Sequence, residues 1–293
     1  APCLRADGTV VDAPGYDAAS GLFYAPNRAY PPLPKRITRD DAVAAAGRIL
    51  SCVSEFPWVA DSDQSAWLAW VLTLVARHAI DGPVPMFAVR ARVPGTGKSM
   101  LADVAGEIGL GRRPARAPAT SDDAEVKKTM LAIAMEALPM FVYDNANGSF
   151  GSPSLSAAVT ATEWRDRVLG ESRTVSAPFR CALASTGNNT TFTGDLGRRI
   201  ITIDLDAGCE SPEARTFQVP DLPRYVHDRA PGLHMDALIV LRAWTLAGRP
   251  QRAGAQLGSF EAWDRVVRAS VCWLERDDPC AGRARVAEVD DED

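Results

Sequence analysis

The 293-residue chain lacks an excess of positive charge: 32 Lys and Arg residues stand against 37 Asp and Glu residues, and the formal net charge is −5. A generally basic, histone-like binder of nucleic acid is therefore excluded, because such proteins carry cations over much of their surface. Any contact with nucleic acid must come from a local basic patch or from a surface that assembly creates.

Long apolar runs, cysteine pairs and histidine clusters are also missing. The longest nearly apolar run, residues 66–76 with Thr73 as its interruption, is shorter than the ~20 residues that cross a bilayer. The amino end lacks the regions of a secretory signal. The six Cys form no CxxC pair, and the three His have no metal-ligand spacing. These absences predict reduced thiols, no membrane partner and a cytoplasmic protein.

Changes in composition divide the chain into five segments. Residues 1–36 are rich in Pro and Gly and predict turns, with room for a hairpin, and then a stiff proline linker. We expect a helical module at 37–81, a core of alternating strands and helices at 82–206, an all-helical region at 207–280 and an acidic tail at 281–293.

The helical module is predicted to contain two helices. The first opens at Thr38, a residue type that caps helices, and the second covers residues 61–80 and is mostly buried. The spacing of apolar and small residues in the first helix predicts one shared face, formed by Val43, Ala46, Gly47 and Leu50.

The core segment alternates short apolar runs with helical stretches, a pattern typical of a parallel sheet covered by helices. Five strands are predicted, at 86–91, 113–119, 140–143, 181–185 and 200–205, with a helix at 100–108. The fold class is therefore α/β, a five-stranded parallel sheet with helices on both faces.

The first strand and the first helix of this core enclose a loop with the sequence Val93-Pro94-Gly95-Thr96-Gly97-Lys98-Ser99. Small residues let backbone N–H groups face an anion, and the helix N-terminus adds its positive end. In such a phosphate loop the lysine reaches the β and γ phosphates and the serine holds Mg²⁺. The loop predicts bound ATP and Mg²⁺, although Arg92 stands where the GxxxxGK[ST] pattern begins with Gly.

An acid is expected at a strand end to hold Mg²⁺ through water, and Asp144 supplies it after the 140–143 strand. As a plain turn residue, Asp144 would instead cap that strand. Many phosphate-loop enzymes have a second acid next, which polarises the attacking water, but here Asn145 follows. The general base stays open: Asn145 could orient water as an amide, or a carboxylate could approach, from Glu163, Asp166 or Glu171.

Two further polar groups follow later strands. Asn188 comes after the 181–185 strand, and an amide beside the phosphate-loop strand can bond the γ-phosphate or its attacking water. Arg198 and Arg199 directly precede the last strand. They are placed to project across a subunit boundary as an arginine finger does, whereas an isolated pair would be solvated surface.

The order of these motifs resembles AAA+ ATPases and, more narrowly, the helicase module of phage and mobile-element primase-helicases, near the superfamily III and minichromosome-maintenance-like groups. The closer resemblance lies in Asp144-Asn145, 164–170, 185–189, Asp195 with Arg198 and Arg199, and 258–263. It implies a ring, commonly of six subunits, with ATP at the interfaces. Lys98, Ser99 and Asp144 would act in cis, Asn188 as sensor 1, and Arg198 or Arg199 in trans.

The resemblance also implies a hairpin before sensor 1 that lines a central channel. Residues 167–175 are predicted to form strand, turn and strand, and Arg167 and Arg173 are the candidates for contact with the DNA backbone. One arginine per subunit, repeated around a pore, makes a positive channel inside a negative particle. Otherwise the segment is a surface hairpin with solvated arginines.

These expectations define a leading function and two rivals. The first is an ATP-dependent DNA helicase or translocase module of a phage or mobile-element replication protein, in a bacterial or phage-infected cell. Its partners would be copies of itself, single-stranded or forked DNA, and a primase domain or protein. The primase is expected as a separate partner because this sequence carries no primase motif of its own. The second is a protein-remodelling AAA+ ATPase. An aromatic pore loop between the second predicted strand and the Asp144 strand would favour it, and the sequence has none there. Arg92 and Asn145 favour a nucleotide-binding switch with little turnover.

Overall fold

The structure, a computed structural model, describes residues 1–26, 28–168, 170, 173–209 and 212–285. Two small antiparallel hairpins come first, β1 (Cys3–Leu4) with β2 (Val10–Val11) and β3 (Gly15–Asp17) with β4 (Leu22–Tyr24). Helices α1 (Arg39–Ser51) and α2 (Asp61–Ala76) follow.

From there strands and helices alternate along the chain. In order they are β5 (Met86–Ala91), α3 (Lys98–Leu110), β6 (Ala115–Pro118), α4 (Asp123–Met135), β7 (Met140–Phe150), α5 (Pro153–Val159), β8 (Glu163–Arg167), β9 (Thr174–Pro178), β10 (Ala182–Phe192) and β11 (Ile200–Leu205). The C-terminal region holds α6 (Leu222–Leu246), α7 (Glu261–Trp263) and α8 (Ala269–Trp273), the last two joined by the π-helical turn Asp264–Arg268. Within the described ranges, none of these helices is both long and apolar enough to cross a membrane.

Helix α1 begins where its capping residue predicts. The Thr38 hydroxyl accepts the N–H of Asp41 at 3.2 Å, and the Asp41 carboxylate accepts the N–H of Thr38 at 2.8 Å. The predicted face is wrong in part, because Val43 is 41% exposed and Gly47 is exposed too. The buried side consists of residues that pack closely against α6, namely Ala42, Ala45, Ala46, Ile49 and Leu50. Alanines let the two helices approach, which outweighs the burial of one valine.

The sheet is five-stranded and parallel, in the order β11-β5-β10-β7-β6. This confirms the predicted sheet, and β5 and β11 have the predicted bounds. Strand β10 lies between β5 and β7, although it follows both in the chain. Because the carboxyl ends of parallel strands meet at one edge, the ends of β5, β10 and β7 are brought together there.

Strands β7 and β10 are longer than predicted. Beyond their apolar runs they continue to pair with each other through polar residues, up to the pair Phe192 with Phe150. Strand β6 is shorter than predicted, and α3 begins at Lys98, two residues before the predicted start.

Helix α2 lies in the centre of the hydrophobic core. Trp67 and Trp70 are fully buried, and Trp70 stacks on Phe87 of β5 with ring centroids 5.5 Å apart. The hydroxyl of Thr73, the one polar interruption in this run, donates to the carbonyl of its own helix turn and accepts the indole N–H of Trp263 at 2.8 Å. The apolar run is therefore a buried helix that joins the sheet to the C-terminal helices.

The last residues that the structure describes pack against β11, at the edge of the sheet. Residues 281–283 form a 3₁₀ turn, and Arg285 pairs with the carboxylates of Asp63 and Asp204. Residues 286–293 of the predicted acidic tail lie outside the described residues.

Candidate functional site

The loop after β5 leads directly into helix α3. Gly95 and Gly97 have φ angles of +77° and +88°, a left-handed conformation that glycine adopts without strain. Gly97 is also the N-cap of the 13-residue helix, so the unpaired N–H groups of its first turn begin at the loop. A Cβ atom on Gly97 would lie 2.8 Å from Cε1 of Phe56. Phe56 thus packs on the loop, and no side chain fits at position 97.

Lys98 occupies the first turn of α3 and is only 7% exposed. Its Nζ donates to Oδ1 of Asn188 at 2.6 Å and to Oγ1 of Thr96 at 3.2 Å. Burial lowers the pKa of Lys98, whereas the charge of Asp144 opposes that shift. Asn188 is within reach because it pairs with Ala91 at the end of β5.

Asp144 lies on β7, close to the start of α3. Its Oδ1 accepts hydrogen bonds from Oγ of Ser99 at 2.8 Å and from Oγ1 of Thr186, while Oδ2 lies 3.3 Å from Nη1 of Arg116. Burial acts to raise the pKa of Asp144, but the two hydroxyl donors and Arg116 outweigh it, and the net pKa is lowered. The carboxylate is therefore ionised at neutral pH.

These groups match the needs of a triphosphate and its cation. A helix N-terminus and the Lys98 ammonium group suit phosphate oxygens. The carboxylate of Asp144 and the hydroxyl of Ser99 are oxygen ligands of the kind that Mg²⁺ prefers. The predicted loop residues Pro94 and Thr96 complete the turn between β5 and α3, so the residues present fit the ligands that the sequence predicts.

Two side chains that contact Asp144 were missed in the sequence. Thr186 stands two residues before Asn188, and alternate residues of a strand share a face, so this spacing could have identified it. Arg116 lies on β6 and also pairs with Asp103 of α3. No local signal indicates Arg116, because only the pairing of β6 with β7 brings it to Asp144.

The residues considered as a general base lie in different places. Asn145 follows Asp144, has a φ of +59°, is exposed, and donates its backbone N–H to Oγ1 of Thr186 at 3.3 Å. Glu163 and Asp166 lie on β8. Glu171 lies outside the described residues. Of the three that are described, Asn145 is the one adjacent to Asp144.

The two arginines of the predicted finger differ in their surroundings. Both close the 3₁₀ turn before β11. The Arg198 side chain is 76% exposed and pairs with Asp195 of the same turn. The Arg199 side chain is 23% exposed and donates to the carbonyl of Ser156 on α5. Arg198 therefore projects from the surface, whereas Arg199 anchors the turn to α5.

The predicted hairpin is present as the antiparallel pair β8 and β9. Arg167 ends β8, and Arg173 precedes β9, its carbonyl accepting the N–H of Val168 at 2.9 Å. Both arginines are exposed. The first strand lies earlier than predicted, because Trp164 packs beside Phe179 of the core. The predicted turn positions 169, 171 and 172 lie outside the described residues.

An apolar cavity of about 320 Å³ opens beside the loop. Its lining includes the loop itself and apolar side chains from three other parts of the chain, among them Phe56, Pro57, Met100, Phe217, Val219 and Leu222. Met100 and Phe217 are each 41% exposed. A lining of this kind suits a flat apolar group.

The chain is thus an α/β protein whose five-stranded parallel sheet carries a cluster of ionic and polar side chains at its carboxyl edge. No protein-family model matches the chain. A search of curated proteins gives no match either.

Two similar solved structures are both apo A forms of the C-terminal region of NrS-1. The one covering 305–718 aligns with a TM-score of 0.44 and 10% identity over 69% of this chain and 45% of that chain. The other aligns with a TM-score of 0.45 and 12% identity over 87% of this chain and 56% of that chain. The chain therefore spans about half the length of these solved chains. A likeness at this level assigns neither a family nor an activity.

Proposed function

We propose that the chain is a P-loop ATPase of the AAA+ type, and that it serves as an ATP-dependent DNA helicase or translocase module of a phage or mobile-element replication protein. One observation carries the ATPase part of the proposal. Lys98, Ser99, Asp144 and Asn188 come from three separate elements and form two hydrogen-bonded pairs beside a helix N-terminus, Lys98 with Asn188 and Ser99 with Asp144.

Each of these residues has a role that follows from its chemistry. The N–H groups of the loop and of α3 hold phosphate oxygens, and Lys98 exchanges its contact with Asn188 for one with phosphate. Ser99 and Asp144 hold Mg²⁺, which when bound neutralises phosphate charge. Asn188 and Asn145 are amides that orient a water molecule by donating and accepting hydrogen bonds.

The apolar cavity supports a nucleotide rather than a simple phosphate as the ligand. It adjoins Gly95, Thr96 and Gly97, so a group attached to phosphates in the loop reaches it directly. Its lining of aromatic and aliphatic side chains suits the adenine ring of ATP.

Assembly into a ring of copies, with six as the expected number, would complete the site. Arg198 is the better candidate for the arginine that acts in trans, because its side chain projects from the surface while Arg199 is held against α5. Arg167 and Arg173 on the β8–β9 hairpin are then the proposed contacts with the backbone of single-stranded or forked DNA in a central channel. A primase domain or protein would supply the primers.

A second candidate is a nucleotide-binding switch with little turnover. The observation that favours it is Asn145, a residue that cannot act as a base, adjacent to Asp144. ATP binding with no release of phosphate would support this alternative.

Phosphate release with Mg²⁺ and ATP, with and without single-stranded DNA, tests the proposal. Lys98→Ala should lower hydrolysis about 100-fold or more. The matched control Lys128→Ala should leave it unchanged, since Lys128 is exposed and forms an ion pair with Glu125 of its own helix. Hydrolysis that survives Lys98→Ala would refute the site, and hydrolysis indifferent to DNA would argue against the helicase.

Mixing variants tests the contribution in trans. Arg198→Ala should be inactive, because arginine fingers contribute about 10³-fold or more. Mixed with Lys98→Ala subunits it should regain activity, since some interfaces then combine an intact loop with an intact arginine. Failure of the mixture to recover would leave Arg198 without a role in trans.

A further inference from the structure

One wall of the apolar cavity is a short strap, residues 215–219, which runs before α6. Phe217 and Val219 of the strap line the cavity. A second wall comes from Glu55, Phe56 and Pro57, in the connection between α1 and α2. The distance between the two walls decides whether a flat ring fits between them.

Glu55 joins these two walls. Its carboxylate accepts the backbone N–H of Gln218 at 2.9 Å and that of Val219 at 3.2 Å. Its own carbonyl accepts Nη2 of Arg215 at 3.0 Å. Glu55, directly before Phe56, therefore accepts hydrogen bonds from both ends of the strap.

Among the residues that the structure describes, few contacts other than those of Glu55 hold the strap. Residues 214–218 are all exposed, and the guanidinium of Arg215 lies over the ring of Phe217, 5.4 Å from its centroid. An exposed segment that must be ordered at the moment of binding lowers affinity, because its conformational entropy is lost then. A carboxylate bonded to two backbone N–H groups orders it beforehand.

We propose that Glu55 is a positioning residue for the base of a bound nucleoside triphosphate. It holds the strap so that Phe217 and Val219 face Phe56 across a gap that accepts the adenine ring. The inference rests on the proposed function, since it requires a nucleotide in the loop. Glu55 itself touches neither the phosphates nor the reacting atoms in this assignment.

Calorimetric titration of the full chain with Mg²⁺ and either ATP or inorganic tripolyphosphate tests the assignment. Tripolyphosphate occupies the loop but carries no base. Glu55→Ala should weaken ATP binding about tenfold, equivalent to one charged hydrogen bond, and leave tripolyphosphate binding unchanged. Glu55→Gln keeps one carbonyl acceptor and should lose less. The control Glu136→Gln, at an exposed position at the end of α4, should affect neither ligand.

The possible results separate this inference from the proposed function. Equal weakening of both ligands, or no weakening of ATP in Glu55→Ala, would overturn the role of Glu55. Wild-type protein that binds ATP and tripolyphosphate equally well would show that the cavity takes no base, and the inference would fail while the phosphate site stands. Wild-type protein that binds neither ligand would overturn the proposed function and the inference with it.

Discussion

Replacing Gly187 with alanine tests the packing that brings the site residues together. Gly187 lies on β10 between Thr186, which contacts Asp144, and Asn188, which contacts Lys98. A Cβ atom at this position would lie 2.1 Å from Oγ1 of Thr190 and 2.2 Å from the carbonyl oxygen of Ala146. Ordinary contacts of a Cβ atom begin near 3.4 Å, so one or both partners must move by more than an ångström.

Neither partner can move without cost. The carbonyl of Ala146 belongs to the backbone of β7, so its displacement pushes two paired strands apart. The hydroxyl of Thr190 donates to that same carbonyl at 2.9 Å in a buried position, and rotating it away breaks the bond. Overpacking costs about 1–3 kcal/mol, and an unsatisfied buried polar group costs a further ~1–3 kcal/mol. We expect Gly187→Ala to lower the free energy of unfolding by about 2–6 kcal/mol.

Urea denaturation followed by circular dichroism measures this loss. The matched control is Gly47→Ala on the exposed side of α1, where a Cβ atom would meet nothing within 4 Å. That substitution should raise the free energy of unfolding by about 0.5–1 kcal/mol, because alanine favours the helix over glycine. A Gly187→Ala variant within about 0.5 kcal/mol of the wild type would refute the close approach of β10 and β7.

Two further predictions concern ionic groups away from the loop. Burial raises the pKa of Asp63 to about 6, so the stabilisation it contributes is full below pH ~4 and lost as pH rises through about 6. The free energy of unfolding of the wild type, relative to that of Asp63→Asn, should thus fall by about 2 kcal/mol between pH 4 and 7. A difference that stays constant, in urea titrations at each pH, would contradict this. Arg199→Ala should cost about 1–3 kcal/mol of stability through its lost contact with α5, and Arg198→Ala under about 0.5 kcal/mol. Equal losses of stability in urea denaturation would contradict the difference between an anchored Arg199 and an exposed Arg198.

Local signals located most of the elements that carry the candidate site. The start of α1 directly after its cap Thr38 and the bounds of β5 and β11 were predictable, because caps and apolar runs act over a few neighbouring residues. The face of α1 was not predictable in the same way. Val43 is exposed because the alanine side of the helix packs on α6, which lies nearly 200 positions later in the chain. Propensity and spacing cannot specify which of two faces a distant helix will cover.

Some residues of the candidate site could likewise be predicted from the local sequence, whereas others could not. The loop, Lys98, Ser99, Asp144 and Asn188 could be identified one by one, since each follows an apolar run in the sequence. Arg116, by contrast, lies on a short polar strand whose neighbour is known only from the sheet. Glu55 lies in a connection with no motif at all, and its partners are about 160 residues away.

The sequence by itself therefore determined the kinds of elements and the chemistry beside their apolar runs: a glycine-rich turn before a helix, an acid and an amide after two apolar runs, and two arginines before the last strand. The tertiary structure alone decided the order of the strands, with β10 between β5 and β7, and so which side chains meet. It also formed the cavity beside the loop from segments far apart in the chain. The reason is physical: turns and caps depend on nearby residues, whereas strand order and cavities depend on how distant apolar surfaces bury one another.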